Sequence, residues 1–409
     1  MTERLYYTDP FLHDFEARVT SVANDAGRTS VTLDRSAFYP ASGGQVFDKG
    51  WIEFSDGPEF SRLNVNEVAE NEQTGEVVHY LEAETASLKP GAVVRGSIDT
   101  ARRRNHMQQH SGQHVLSAAF EKLYNFATVS FHMGDESCTI DLATEAVSAK
   151  QLQAAERLAN EIIAEDRPVE IRFATLEEAR SMGVRKIPLV EREKLRLIDI
   201  REFDLNACGG THVRSTGQIG SILLRKSEKV KQGVRVEFVC GLRAVATARH
   251  DYETLTEAAG LFSTHIWEVP QQIRKSQEES KAAQKTQHRL LEEVAELQAG
   301  QMVQGAEQRG ARKVVVQYFA DRDLNFIKML AQKLTKQGQC VALLACGGAQ
   351  PSLVFGQTSG LGDDMGALMK QAVQALGTRG GGNRDMAQGG APDGQSAERA
   401  VREAAEEIT

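Results

Sequence analysis

No run of apolar residues is long enough to cross a bilayer, which excludes an α-helical membrane protein. The N-terminus, Met1-Thr2-Glu3, has no signal-peptide pattern, so a secreted destination is not expected. Cysteine is scarce. The five present (Cys138, Cys208, Cys240, Cys340, Cys346) are odd in number and show no paired spacing, which argues against a disulfide scaffold and for a reduced, cytoplasmic setting. Positive charge is short as well: 48 Lys and Arg face 56 Asp and Glu, a net charge of -8, so the overall balance gives no sign of a duplex-binding protein. Two local clusters run the other way, Arg102-Arg103-Arg104 and Arg225, Lys226, Lys229, Lys231 with Arg235. A charge run is ordinarily a solvated face, and alone these do not establish RNA as a partner.

What the chain does have is 409 residues with 41% hydrophobic and 25% charged content, ample for more than one packed core. Two short stretches stand out. In His110-Ser111-Gly112-Gln113-His114 the imidazoles sit at i and i+4, on one face of the helix that the following Val115, Leu116, Ala118, Ala119 and Phe120 imply. In Cys208-Gly209-Gly210-Thr211-His212 a thiol and an imidazole flank a Gly-Gly hinge that lets the backbone turn tightly. Three imidazoles and one thiolate form the borderline-soft, tetrahedral set that zinc prefers, one Zn2+ per chain. Either half alone is more often ordinary core or surface; together they favour the metal.

The order of elements predicts an α+β protein in four parts. Residues 1–98 read as short strands with Gly-rich turns, a small β-barrel-like domain, with a hairpin turn at Asn24-Asp25-Ala26-Gly27. Residues 99–243 read as an α+β domain around the His and Cys motifs. Its first helix is capped by Asp99 or Thr100, and a strand is expected over Ile219–Leu224. From 244 to 310 the composition shifts to Gln, Glu, Lys and Ala, which predicts a helical hairpin or coiled-coil linker. Leu290, Val294 and Leu297 form its apolar seam, and Pro270 marks a break or start. Residues 311–409 alternate strand and helix in a βαβ-type α/β domain with a glycine-rich loop, Gly377 to Gly390. No Gly-Lys-Ser/Thr follows, so it is not a P-loop. A flexible surface loop and a backbone nest gripping phosphate with Arg379 and Arg384 both remain open.

Four segments resemble the alanyl-tRNA editing family, which includes free-standing AlaX-type proteins and the editing module of alanyl-tRNA synthetase. They are Phe38-Tyr39-Pro40 with Gly43-Gly44-Gln45, the His110/His114 helix, the Cys208/His212 loop, and Gly380-Gly381-Gly382 with Ala387-Gln388-Gly389-Gly390. The resemblance implies a long-form editing protein that deacylates mischarged tRNA in trans. The synthetase core that would use ATP has no room, so no ATP is expected. It also implies tRNA as partner through its acceptor stem and 3' end, contacted by Arg379, Gly381, Gly382, Arg384 and Gln388. A homodimer through the helical linker or C-terminal domain is a further expectation. Backbone amides of the Gly43-Gly44 loop would stabilise an oxyanion, while Gln45 and Thr211 would read a serine hydroxyl. Gln113 stands where the synthetase domains carry Thr, which bears on how the amino acid is selected. His106, one turn before His110, is expected to pack or cap.

Two roles for the ion stay open: lowering the pKa of a water, or holding the substrate amine. Four protein ligands equally suit a structural zinc in a non-catalytic tRNA-binding module. A metallopeptidase is disfavoured, since Ser-Gly-Gln lies between the histidines where a general-base Glu would be needed.

Overall fold

The structure, a computed structural model, describes residues 1–25, 28–56, 59–83, 85, 87–185 and 194–408. Ala26 and Gly27 of the expected hairpin turn lie outside the described residues. The chain divides into two compact units, Met1–Glu257 and Ala258–Thr409.

In the first unit, alternating apolar residues produce β1 (Asp14–Asp25), β2 (Arg28–Leu33), β3 (Gly50–Asp56), β4 (Glu59–Glu70), β5 (Val77–Leu81) and β6 (Val93–Ile98). These close into an antiparallel barrel in the order β1-β2-β5-β4-β3-β6. Closure leaves no open edge and turns Phe15, Val19, Val31, Ile52, Phe54, Val68 and Val94 inward. Each such burial is worth about 1.5–3 kcal/mol. The strand β4 is not foreseen in the sequence. A bulge between Val65 and Glu67 breaks its period, so Val65 and Val68 both face inward three positions apart.

Helix α1 (Thr100–Tyr124) follows, its first turn capped by the Asp99 carboxylate, which accepts from Arg102 N at 3.0 Å. Its stretch from His106 to Phe120 is buried. Around it pack α2 (Ala149–Ala164) and a four-stranded sheet of β7 (Thr128–Met133), β8 (Cys138–Leu142), β12 (Ile222–Val230) and β13 (Gly233–Cys240), in the order β12-β13-β8-β7. A separate sheet joins β9 (Val169–Ala174), β10 (Leu195–Ile200) and β11 (Asp204–Ala207); α3 (Leu176–Ser181) follows β9. The strand expected over Ile219–Leu224 starts only at Ile222, because Thr216–Ile219 forms a 3-10 turn.

The Arg102-Arg103-Arg104 run is not one basic face. Arg103 is fully buried, bonds the carbonyls of Pro10 and Ala37, and pairs with Asp48 at 2.5 Å. The second cluster is largely neutralised: Arg225 pairs with Asp251, Lys226 with Glu228 and Arg235 with Asp141.

Helix α4 (Gly241–Leu261) carries the chain across the boundary at Glu257. In the second unit follows α5 (Val269–Gly305), 37 residues long with Pro270 in its first turn. Its buried face is Ala295, Ala299 and Val303 against α6 (Leu324–Leu334). Leu290, Val294 and Leu297, the expected seam, stay 49, 38 and 72% exposed. Strands β14 (Glu307–Arg309), β15 (Arg312–Phe319), β16 (Cys340–Cys346) and β17 (Ser352–Gln357) lead to α7 (Met365–Ala375), and β15 and β16 pair in parallel across α6 as a βαβ unit should. The glycine run is not a loop: Gly380–Gly382 and Met386–Gly390 form a hairpin, β18 and β19, at the edge of a six-stranded sheet ordered β14-β15-β16-β17-β19-β18. Helix α8 (Gly394–Glu406), unforeseen, lays Ala397, Ala400, Val401 and Ala404 on that sheet. Among the described residues, no helix is long and apolar enough to cross a membrane.

Candidate metal centre

Two ligand pairs meet. His110 and His114 leave one face of α1, and Cys208 and His212 come from the loop after β11. One ligand atom from each of the four lies within 4.8 Å of the others. The histidines are buried, at 3, 2 and 1% exposure, and Cys208 is half-buried. His110 Nε2 and His212 Nε2 lie 3.4 and 3.3 Å from Cys208 Sγ.

Each ring has a partner on its far side. His110 Nδ1 donates to Gln45 Oε1 at 2.7 Å, His114 Nδ1 faces Asp204 Oδ2 at 3.4 Å, and His212 Nδ1 faces Ser111 Oγ at 3.3 Å. A proton held at every Nδ1 leaves each Nε2 lone pair for the cluster, the arrangement that outer partners impose on ligating histidines. The residues therefore fit a zinc-like ion in atom type and burial.

In the metal-free cluster, charge is shared between the sulfur and one ring. Burial would push the Cys208 thiol up, but the neighbouring histidines hold it well below its usual range. Burial would push His114 down, yet Asp204 and Cys208 raise it to about 9. His212, where burial dominates, falls to about 3.

The Gly-Gly pair works differently from the hinge the sequence suggests. Neither glycine adopts a positive φ. Instead, a Cβ on Gly210 would lie 2.1 Å from His110 Cε1, so glycine is needed for close approach. Arg196, which the sequence did not single out, fixes the loop by donating to the carbonyls of Cys208 (2.7 Å) and Gly210 (3.0 Å).

Gln45 and Thr211 are buried at 2 and 0% exposure. Gln45 Nε2 donates to Thr211 Oγ1 at 2.9 Å, and its Oε1 also accepts from Thr211 N at 3.1 Å. Gln45 thus links Thr211 to His110, while the Thr211 hydroxyl acts as an acceptor and keeps its own proton to donate. Gly43 and Gly44 form a tight turn with φ of 56° and 84°, closed by Ser42 and Gln45 bonding each other's backbones at 3.0 and 3.1 Å. Met133 N donates to the Gly44 carbonyl at 2.9 Å, and the Phe131 ring stacks on His110 with centroids 5.3 Å apart. Gln113 bonds Ser117 Oγ at 2.8 Å, one turn along the same helix. His106 is buried outside the cluster with its Nδ1 unpartnered among the described residues, and burial lowers it to about 4.

In the second unit, Arg379, Gly381 and Gln388 line a cavity of about 320 Å³ beside the glycine hairpin. Gly382 and Arg384 are not in its lining. A Cβ on Gly382 would sit 2.2 Å from Met386 O, and Arg384 bonds the carbonyls of Gly362 and Asp363.

Known proteins resemble this chain over much of its length. The profile described as "Threonyl and Alanyl tRNA synthetase second additional domain" matches residues 195–237, which hold Cys208 and His212. That of "tRNA synthetases class II (A)" matches residues 6–102, the barrel region. The alanyl-tRNA editing protein AlaX-L of Pyrococcus horikoshii is 30% identical over 95% of this chain and 94% of its own length. The chain belongs to the alanyl-tRNA editing family. Within alanine–tRNA ligases, that of Pyrococcus abyssi is 30% identical over 98% of the chain and that of Archaeoglobus fulgidus 31% over 95%. The chain spans 43 and 42% of their lengths. The C-Ala domain of Aquifex aeolicus alanyl-tRNA synthetase covers 25% of this chain and 95% of its own at 21% identity, with a TM-score of 0.23, too loose a superposition to carry an argument.

Proposed function

We propose that the chain is a trans-acting hydrolase that cleaves the ester of mischarged tRNA(Ala), Ser- or Gly-tRNA(Ala), at one zinc held by His110, His114, Cys208 and His212. The observation that carries this reading is the convergence of those four ligand atoms within 4.8 Å in a chain of the editing family.

Bound zinc supplies a Lewis acid beside the ester. The chain's own residues do the rest. The Gly43-Gly44 turn, fixed through Met133, offers backbone amides to the carbonyl oxygen as charge develops there. Gln45 and Thr211 keep His110 in place and so act behind the ring. In the second unit, Arg379, Gly381 and Gln388 take the tRNA backbone. At Gly381 a Cβ would meet nothing within 4 Å, so the backbone there is open to a close ligand. The exposed stripe of Leu290, Val294 and Leu297 on α5 is the surface we assign to a homodimer.

Purified protein, wild type and His114→Ala, is assayed on Ser-tRNA(Ala) and Ala-tRNA(Ala). The expected result is hydrolysis of the serine ester by wild type and its loss in the variant. Turnover that survives in the variant removes zinc from the chemistry. Absent turnover with retained tRNA binding favours a non-catalytic module with a structural metal.

A further inference from the structure

Of the three outer partners of the histidines, two are neutral, Gln45 and Ser111, and one is a carboxylate, Asp204. Asp204 is 6% exposed, and a buried carboxylate is costly unless paired. Its pairing is specific. Oδ1 accepts from Arg185 Nε at 2.7 Å, Oδ2 accepts from Arg185 Nη2 at 3.2 Å, and Oδ2 also faces His114 Nδ1. Arg185 in turn lies 3.5 Å from Glu121. The chain of charges therefore starts at His114 on α1, crosses to β11 and returns to α1 two turns further on.

Place in the chain gives Asp204 a second lever, since it opens β11, the four-residue strand that ends immediately before Cys208. One side chain thus fixes the far nitrogen of a helix ligand and the root of the strand that delivers the loop ligands.

We propose that Asp204 is the positioning residue of the metal centre. It engages His114 Nδ1 so that Nε2 is turned to the ion, and its own carboxylate is fixed by two hydrogen bonds from Arg185. Asp204 meets the side of the ring opposite the cluster, and it is not among the four residues whose ligand atoms converge, so it is no fifth ligand. The inference rests on the metal reading above and goes beyond it in assigning a residue that carries no recognisable motif.

The test uses the full chain, stripped of metal and titrated with zinc alone against a chromophoric chelator, then with Co2+ for its absorption spectrum. Four proteins are compared: wild type, Cys208→Ser, Asp204→Ala and Asp204→Asn. Loss of such an outer partner commonly weakens metal binding about 10- to 100-fold, and that is the loss expected for Asp204→Ala. Asp204→Asn keeps an oxygen acceptor and is expected to recover part of it, with the Co2+ ligand-field bands displaced from wild type. Thermal unfolding of the metal-free proteins is followed in parallel. Should both Asp204 variants bind zinc within about twofold of wild type while their metal-free unfolding temperatures fall, Asp204 is only a structural ion pair and the inference is overturned. Were Asp204→Ala not to fold, the isosteric Asp204→Asn carries the comparison. Failure of the metal reading looks different: wild type would not bind zinc, or Cys208→Ser would bind it as tightly.

Discussion

His79 shows how one buried ring can tie stability to pH. It lies wholly inside the barrel, with Nδ1 donating to Val31 O at 3.1 Å and Nε2 at 2.8 Å from Ser36 Oγ. Burial lowers it from 6.5 to about 4. Below pH 6.5 the unfolded chain therefore takes up a proton that the folded chain refuses. The contribution is complete above that pH and is lost as pH falls towards 4; in size it is about 3 kcal/mol. In urea unfolding, the stability gap between wild type and His79→Leu should accordingly narrow between pH 7 and pH 4.5. A constant gap would show that His79 does not titrate as argued. Arg103 is the second case. With both partners at 0% exposure, Arg103→Met leaves the Asp48 carboxylate buried and unpaired, and should cost about 3–5 kcal/mol. Asp48 also accepts from Tyr39 N at 2.7 Å, so the loss would loosen the loop that carries Gln45. Denaturation midpoints check the size, and zinc affinity checks the reach.

Among the elements, the loop after β11 decides the most. Gly210→Ala would force a methyl against His110, so metal affinity should drop by at least about tenfold, the size typical of a disturbed ligand shell. The overall unfolding midpoint should move little, because the strain is local. Chelator competition and thermal melts on one sample separate the two effects. The His and Cys pairs were legible in the sequence because their chemistry and spacing are rare. Asp204, Ser111 and Arg196 were not, since an outer partner is an ordinary polar residue placed only by folding. The barrel was legible from alternation except at β4, where the bulge interrupts the period. Arg103 was lost within a run of like charges whose neighbours are partly or fully exposed. The glycine hairpin looked like a loop because glycine gives no strand signal. Helix α8 was unforeseen, as its buried face is mostly alanine.

At the scale of the molecule, a ligand that binds only folded protein stabilises it by mass action. Zinc at a hundred times its dissociation constant is worth about 2.7 kcal/mol to the unit that holds it. Trp51 lies in that unit and Trp267 in the other. In a Trp267→Phe protein, the transition followed by Trp51 fluorescence should fall in temperature when a chelator is added. The transition followed by Trp267 in a Trp51→Phe protein should not. Equal shifts would place the ion's influence elsewhere. The four ligands come from opposite ends of the first unit's α+β part, and the helix pair is made long before the sulfur. During synthesis, a nascent polypeptide that stops short of residue 208 owns half a binding site and no thiolate. The ribosome must carry the chain past His212 before an ion can be captured, so metal capture reports that synthesis has passed that point and that the two ligand pairs have been brought together.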